Sequence, residues 1–228
     1  MGEKLIRLTE RVWYYPWEEE RDRPNLGYIR GDNWSLAVDA GHSKAHTLAF
    51  CRAIEEAGLP PVKLTVLTHW HWDHTLGLHA MPGLSLANKR TNAYLIRLRE
   101  RIEREGTQAL FRLDEKIVKE YAGGAPVTVS LPDMLFAGEM LLDAGHCPVR
   151  VFEAGSPHTD DATLIEVPGE GVLFTGDAEC GVFPTWVKDK PLCAPLIEAI
   201  GRAGAELCVG GHWAPRPKAE ALRELEEE

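Results

Sequence analysis

"VKLTVLTHWHWDH", residues 62–74, begins as a β-branched apolar run and ends in three histidines and an aspartate. The run reads as a buried strand that delivers the chain to the histidine cluster. In extended backbone, residues i and i+2 face the same way, so His69 and His71 can grip one ion. Asp73 and His74 are adjacent, diverge from that direction and could serve a second ion. A helical metal motif would use i,i+4 spacing instead. The stretch therefore reads as a strand-end loop feeding two metals.

Working outward, "WSLAVDAG" (34–41) is a strand ending on Asp39, preceded by the strand-like runs "KLIRLTERVWYY" and "LGYIRG". "SKAHTLAFCRAIEEAG" reads as a helix with Ser43 as N-cap and Gly58 as stop. Its apolar residues Leu48, Cys51, Ile54 and Ala57 recur at helical spacing. The resulting β–α–β order argues for a layered α/β fold. Beyond the histidines, Leu95, Leu98 and Ile102, then Leu110, Leu113, Ile117 and Tyr121, fit two amphipathic helices within 89–122, parted near Gly106. Strands follow at "VTVSLP", "EMLLDAG" and "PVRVFEAG". "ATLIEVPGEGVLFTGD" reads as two strands joined by a turn at 168–171. "LCAPLIEAIGRAG" is a helix, "AELCVGG" a strand and 215–228 a terminal helix. Two such blocks of strands and helices predict two facing sheets with helices outside, in a single domain spanning residues 1–228.

Composition narrows the function. At 228 residues and 44% hydrophobic content, the chain can bury one large core. A net charge of −10 repels phosphate backbones, so no nucleic-acid partner is expected. No apolar run is long enough to span a membrane, and the charged N-terminus is no secretory signal. Five cysteines without a CxxC pair make a disulfide framework improbable. A cytoplasmic protein acting on a small-molecule substrate is the expectation.

Six residues cannot complete two coordination shells, so further ligands must come from downstream. His158 stands in "GSPHTDD" before a strand, Asp177 ends "VLFTGD", and His212 ends "ELCVGGH". Each lies beside glycine or proline, where backbone can turn a side chain into a cleft.

HxHxDH, a later His before a strand, an Asp ending "LFTGD" and a last His in "GGH" together resemble the metallo-β-lactamase superfamily, in order, over nearly the whole chain. The resemblance implies a four-layer αβ/βα sandwich with the site at one edge. It implies that His69, His71 and His158 hold one metal, that Asp73, His74 and His212 hold the other, and that Asp177 bridges them. Asp39 matches a position that orients the ligand loop. Two divalent ions, zinc first and iron or manganese next, would clamp a water and bring its pKa towards about 7. The bridging hydroxide would then attack an electrophilic carbonyl or phosphorus, with Asp73 also placed to accept or relay a proton.

Departures from the pattern narrow the choice within the superfamily. Zinc β-lactamases of the broad-spectrum kind carry a metal-binding Cys where this chain has Asp177, and a Lys where it has Cys180. A native β-lactamase is therefore not expected. Flavodiiron proteins usually carry Glu at the position of His71. Hydroxyacylglutathione hydrolases add a helical domain after the last ligand, whereas only 16 residues follow His212. The expectation is a dinuclear hydrolase of a small ester, thioester, lactone or amide. The alternatives are a phosphodiesterase or a mononuclear iron protein like the persulfide dioxygenases. The helical segment 89–122 either walls the cleft and sets substrate choice or only covers a sheet. Trp70 and Trp72, pointing away from the ions, are expected to pack under the loop. Trp186 and Trp213 are expected in the substrate pocket, while His42, His46, His79 and His146 are read as structural or surface residues. Asp160 and Asp161 are read as turn formers or caps.

Overall fold

A computed structural model describes residues 4–227. Thirteen strands among them form two mixed sheets. The first sheet contains, in spatial order, β1 (Ile6–Arg7), β2 (Val12–Tyr15), β3 (Leu26–Arg30), β4 (Ser35–Val38), β5 (Val62–Val66), β6 (Leu84–Asn88) and β7 (Met134–Phe136). Its first four strands are antiparallel meanders, and β4 to β7 run parallel. The second sheet contains β8 (Glu139–Asp143), β9 (Pro148–Glu153), β10 (Thr163–Val167), β11 (Val172–Gly176), β12 (Leu207–Gly210) and β13 (Arg216–Pro217). Only the β11–β12 pair is parallel there.

The helices are α1 (Lys44–Glu56), α2 (Trp72–Thr75), α3 (Lys89–Glu105), α4 (Gln108–Phe111), α5 (Glu115–Glu120), α6 (Lys190–Arg202) and α7 (Lys218–Glu227). Parallel strands need crossovers, and α1 and α3 provide them on the outer face of the first sheet. Three apolar layers hold the stack together. Ile29, Leu36 and Val66 of the first sheet meet Val151, Ile165 and Phe174 of the second in the central core. Phe50 and Ile54 of α1 cover Tyr28 and Leu26, while Leu196 and Leu225 of α6 and α7 cover Leu164 and Leu173. The arrangement is the αβ/βα sandwich expected. No helix among the described residues is long and apolar enough to cross a membrane.

Several local readings need correction. The buried face of α1 is His46, Thr47, Phe50, Ala53 and Ile54, and Leu48 is largely exposed. Thr47 can stand in that face because its hydroxyl donates inside it, to the Ala40 carbonyl (2.6 Å), and His46 Nδ1 accepts from the His42 amide (3.3 Å). "VTVSLP" forms no strand, although Val129 and Leu131 pack into the core beside Leu67 and Leu95. Strand 4–15 breaks into β1 and β2 around a turn at Leu8–Arg11. The 89–122 segment holds three helices, and Arg216–Pro217 is the edge strand β13, with helix only from Lys218. Asp73 and His74 lie on the one-turn helix α2, not in an open loop.

Candidate metal centre

β5 ends at Val66, and the next residues carry the chain into α2 at the rim of both sheets. His158 precedes β10, Asp177 follows β11, and His212 follows β12. Two ligand sets result. His69, His71 and His158 form one, and Asp73, His74, Asp177 and His212 the other. In each set, ligating atoms lie within 4.8 Å of one another. The two sets adjoin, because Asp177 Oδ2 is 3.4 Å from His74 Nε2, 3.4 Å from His212 Nε2 and 3.9 Å from His158 Nε2.

Glycines permit these approaches. Gly176 adopts φ 51°, and a Cβ there would meet Thr68 Oγ1 at 2.6 Å. A Cβ on Gly211 would collide with the Asp177 carboxylate, so a larger residue would displace Asp177 or the loop carrying His212.

Hydrogen bonds aim the free lone pairs. His158 Nδ1 is 2.7 Å from the Gly181 carbonyl, which leaves Nε2 facing His71 Nδ1 at 2.9 Å. Asp39 occupies φ 63° at the end of β4. Its Oδ1 accepts from the Thr68 amide (2.7 Å), and its Oδ2 accepts from Thr68 Oγ1 (2.8 Å) and lies 2.8 Å from His74 Nδ1. It thus braces the loop before His69 and turns His74 Nε2 into the site.

The electrostatics of the two sets differ. Burial, then His74 and its neighbours, hold His69 well below the ordinary imidazole range. Burial and His158 bring His71 down to about 3. These rings are neutral, as metal ligands must be. In the second set, burial opposes charge but the mutual attraction wins. Asp73 and Asp177 stay well below the usual carboxylate range, and His74 is raised well above its own. His212, drawn up chiefly by Asp177 against its burial, reaches about 10.

These residues fit a divalent metal. His69 Nε2, His74 Nε2 and Asp177 Oδ1 are buried and have no hydrogen-bond partner. Leaving such groups unmet costs about 1–3 kcal/mol each.

The surrounding residues distribute around two cavities. The smaller, about 350 Å³, is bordered by Asp22, Asp73, Lys116, Cys180, Trp186 and His212. Trp186 is exposed and stacks on His158, with centroids 6.2 Å apart. Trp213 lines neither cavity; its ring lies against Gly210, with the Arg216 guanidinium 5.3 Å from its centroid. Trp72 is buried but borders both cavities, and Trp70 lines the larger one. His42 and His46 are buried, and His79 and His146 lie on the surface. Asp161 is fully buried, accepting from Thr91 (2.8 Å) and Thr159 (2.6 Å).

Sequence reasoning missed three supports. Thr68 adjoins the motif and was open to discovery as a polar residue ending a buried strand. Asn25, whose Nδ2 donates to the Gly210 (2.8 Å) and Trp213 (2.7 Å) carbonyls, braces the His212 loop from far along the chain. Glu120, whose side chain is fully buried, receives Arg23 through two bonds of 2.8 and 2.9 Å. Neither of these last two carries a local signal.

Fold and ligand sets together define a metallo-hydrolase type of sandwich. The family profile described as "Metallo-beta-lactamase superfamily" matches residues 21–227, and the chain belongs to that superfamily. Among solved structures, it is similar to a metallo-β-lactamase from Pontibacter korlensis at 17% identity, with TM-score 0.71 over 99% of this chain and 100% of that one. The metallo-β-lactamase FIM-1 from Pseudomonas aeruginosa, in a mono-zinc form, aligns at 15% identity and TM-score 0.67 over 100% and 94%. A double mutant of the sec-alkyl sulfatase PisA1 aligns at 16% identity and TM-score 0.76, covering 99% of this chain but 40% of that one. At such identities the likeness is one of fold. No curated protein sequence matches the chain.

Proposed function

We propose that the protein is a metal-dependent hydrolase of a small ester, thioester, lactone or amide, holding two divalent ions, zinc foremost. The observation that carries this reading is the pair of adjoining candidate ligand sets, with buried unpartnered lone pairs and with Asp177 of the second set 3.9 Å from His158 of the first. Bound there, the ions would supply an acidified water and polarise the substrate's carbonyl oxygen. His69 and His71 present neutral rings to one ion, and His158 completes that set. Asp73, His74 and His212 face the other, and Asp177 reaches towards both sets. Asp73 Oδ2, 3.0 Å from His212 Nε2 and bordering the smaller cavity, is the carboxylate placed to take up or return a proton. Asp177 and Cys180 stand where broad-spectrum β-lactamases carry Cys and Lys, so β-lactams fit this site poorly.

Metal quantification paired with a panel of lactone, thioester, phosphodiester and β-lactam substrates tests the reading. The expected result is about two zinc ions per chain and turnover of lactones or thioesters. Turnover of bis(p-nitrophenyl) phosphate alone would make it a phosphodiesterase. One iron per chain with oxygen uptake would place it with the dioxygenases.

A further inference from the structure

The larger cavity, about 1100 Å³, opens beside His71 and His158 and is walled along α3. That helix divides its surface into two stripes. Thr91, Leu95 and Leu98 are buried against the body of the protein, with Ile102 packed beside them. Arg90, Tyr94, Arg97 and Arg101 succeed one another at spacings of four, three and four, and so share the neighbouring stripe. Arg90, Tyr94 and Arg101 line the cavity, and Arg112, just past α4, joins them. A helix that merely shielded a sheet would have no need of aromatic and cationic residues in register on a concave face.

The aromatic part is built. Trp70 stacks on Tyr94 with centroids 5.3 Å apart and planes 23° from parallel, beside His71. Phe183 lines the same cavity. The cationic part is left without strong local partners. The Arg112 side chain has no ion pair or hydrogen bond among the described residues. Arg90 donates to a backbone carbonyl, that of Asp160 (2.7 Å), and Arg101 meets only Glu105, at 3.4 Å on its own helix. Of the acids lining the cavity, Asp160 accepts from the Tyr94 hydroxyl (2.8 Å) and Glu153 from Asn88 (2.8 Å). The third, Asp189, belongs to a different element, at the N-terminus of α6.

We propose that this cavity takes an organic carboxylate: an aromatic or apolar body lying on Trp70 and Tyr94, its anionic group held by Arg101 and Arg112. Resting on the hydrolase reading, the scissile bond of such a substrate lies at the His71 end. Specificity for the anion is then set by the helical segment and not by the metal ligands.

Calorimetric binding of naphthoate and uncharged naphthamide to the whole chain, with and without zinc, tests this. Partly exposed guanidinium pairs predict that naphthoate binds about fivefold tighter. The preference should survive removal of metal, shrink with added salt, and vanish in the double variant Arg101→Gln/Arg112→Gln with metal content unchanged. The charge-keeping variant Arg112→Lys should retain most of it. A preference that disappears with the metal, that the double variant leaves intact, or that is absent altogether overturns the proposal. If the chain hydrolyses no ester, thioester or lactone yet keeps an arginine-dependent preference, the hydrolase reading falls and the carboxylate site stands. If it hydrolyses neutral esters and shows no preference for the anion, the carboxylate site falls and the hydrolase reading stands.

Discussion

Asp39 shows how much rests on single residues. A non-glycine residue at φ 63° is conformationally costly, and it persists here because both carboxylate oxygens are engaged by Thr68 and His74. Asparagine tolerates the same backbone, so Asp39→Asn removes the charge and one acceptor oxygen without straining the turn. We expect zinc affinity to fall about 10–100-fold, read by competition with a chelating dye. His212 gives a second residue-scale expectation. Raised to about 10 in the metal-free chain, it is protonated at neutral pH and must lose that proton to ligate. Zinc binding at pH 7 should therefore release protons, visible as a dependence of binding enthalpy on buffer ionisation heat. An identical enthalpy in phosphate and Tris would contradict it. Asp161 provides the opposite case. Burial raises it to about 6, despite hydrogen bonds from Thr159 and Thr91. The protonated form suits the fold, so this stabilisation is present below the ordinary aspartate value and is lost as pH rises through about 6. Asp161→Asn should stabilise the protein by about 1–3 kcal/mol above pH 6, the gain fading towards pH 4 in denaturation curves.

At the scale of elements, the helical segment both packs and faces the site. Leu98, Leu110 and Ile117 bury against Trp72 of α2, so the helices brace the turn that carries Asp73 and His74. Glu120, at the end of α5, ties the segment to Arg23 and Ser43 on the first sheet's side. Removing the Glu120 charge leaves the Arg23 guanidinium only the weaker pairing with Glu18, 4.0 Å away. Glu120→Gln is expected to cost about 3 kcal/mol in chemical denaturation. Much of this layer was legible in the residues. The run 62–68 was readable as a buried strand, the helix after Ser43 as capped there, and the 168–171 turn as a turn. The Ser43 hydroxyl does accept from the His46 amide, as a capping side chain should. "VTVSLP" misled because alternating apolar residues fit a pleated strand, but strand formation also needs a free edge to pair with. Met134–Phe136 takes the edge beside β6 instead.

For the whole molecule, the ligands come from both sheets: His69 to His74 from the first, and His158, Asp177 and His212 from the second. A bound ion thus cross-links the two halves and stabilises only the folded arrangement. Saturating zinc, at about a hundredfold its dissociation constant, should add about 3 kcal/mol to unfolding free energy, and chelation should remove it. His71→Ala should lose at least one metal equivalent and part of that shift. What the residues determined by themselves is the layered architecture and the candidate ligands at strand ends, because both show in local signals: periodicity, spacing and polar residues beside glycine or proline. What only the tertiary structure decided is the partnering across long separations. Glu120 meeting Arg23, Asn25 bracing His212, Trp70 turning to Tyr94 and Trp213 turning under Gly210 depend on how layers pack. No local pattern encodes such contacts, since packing chooses among side chains whose own preferences are equally well met elsewhere.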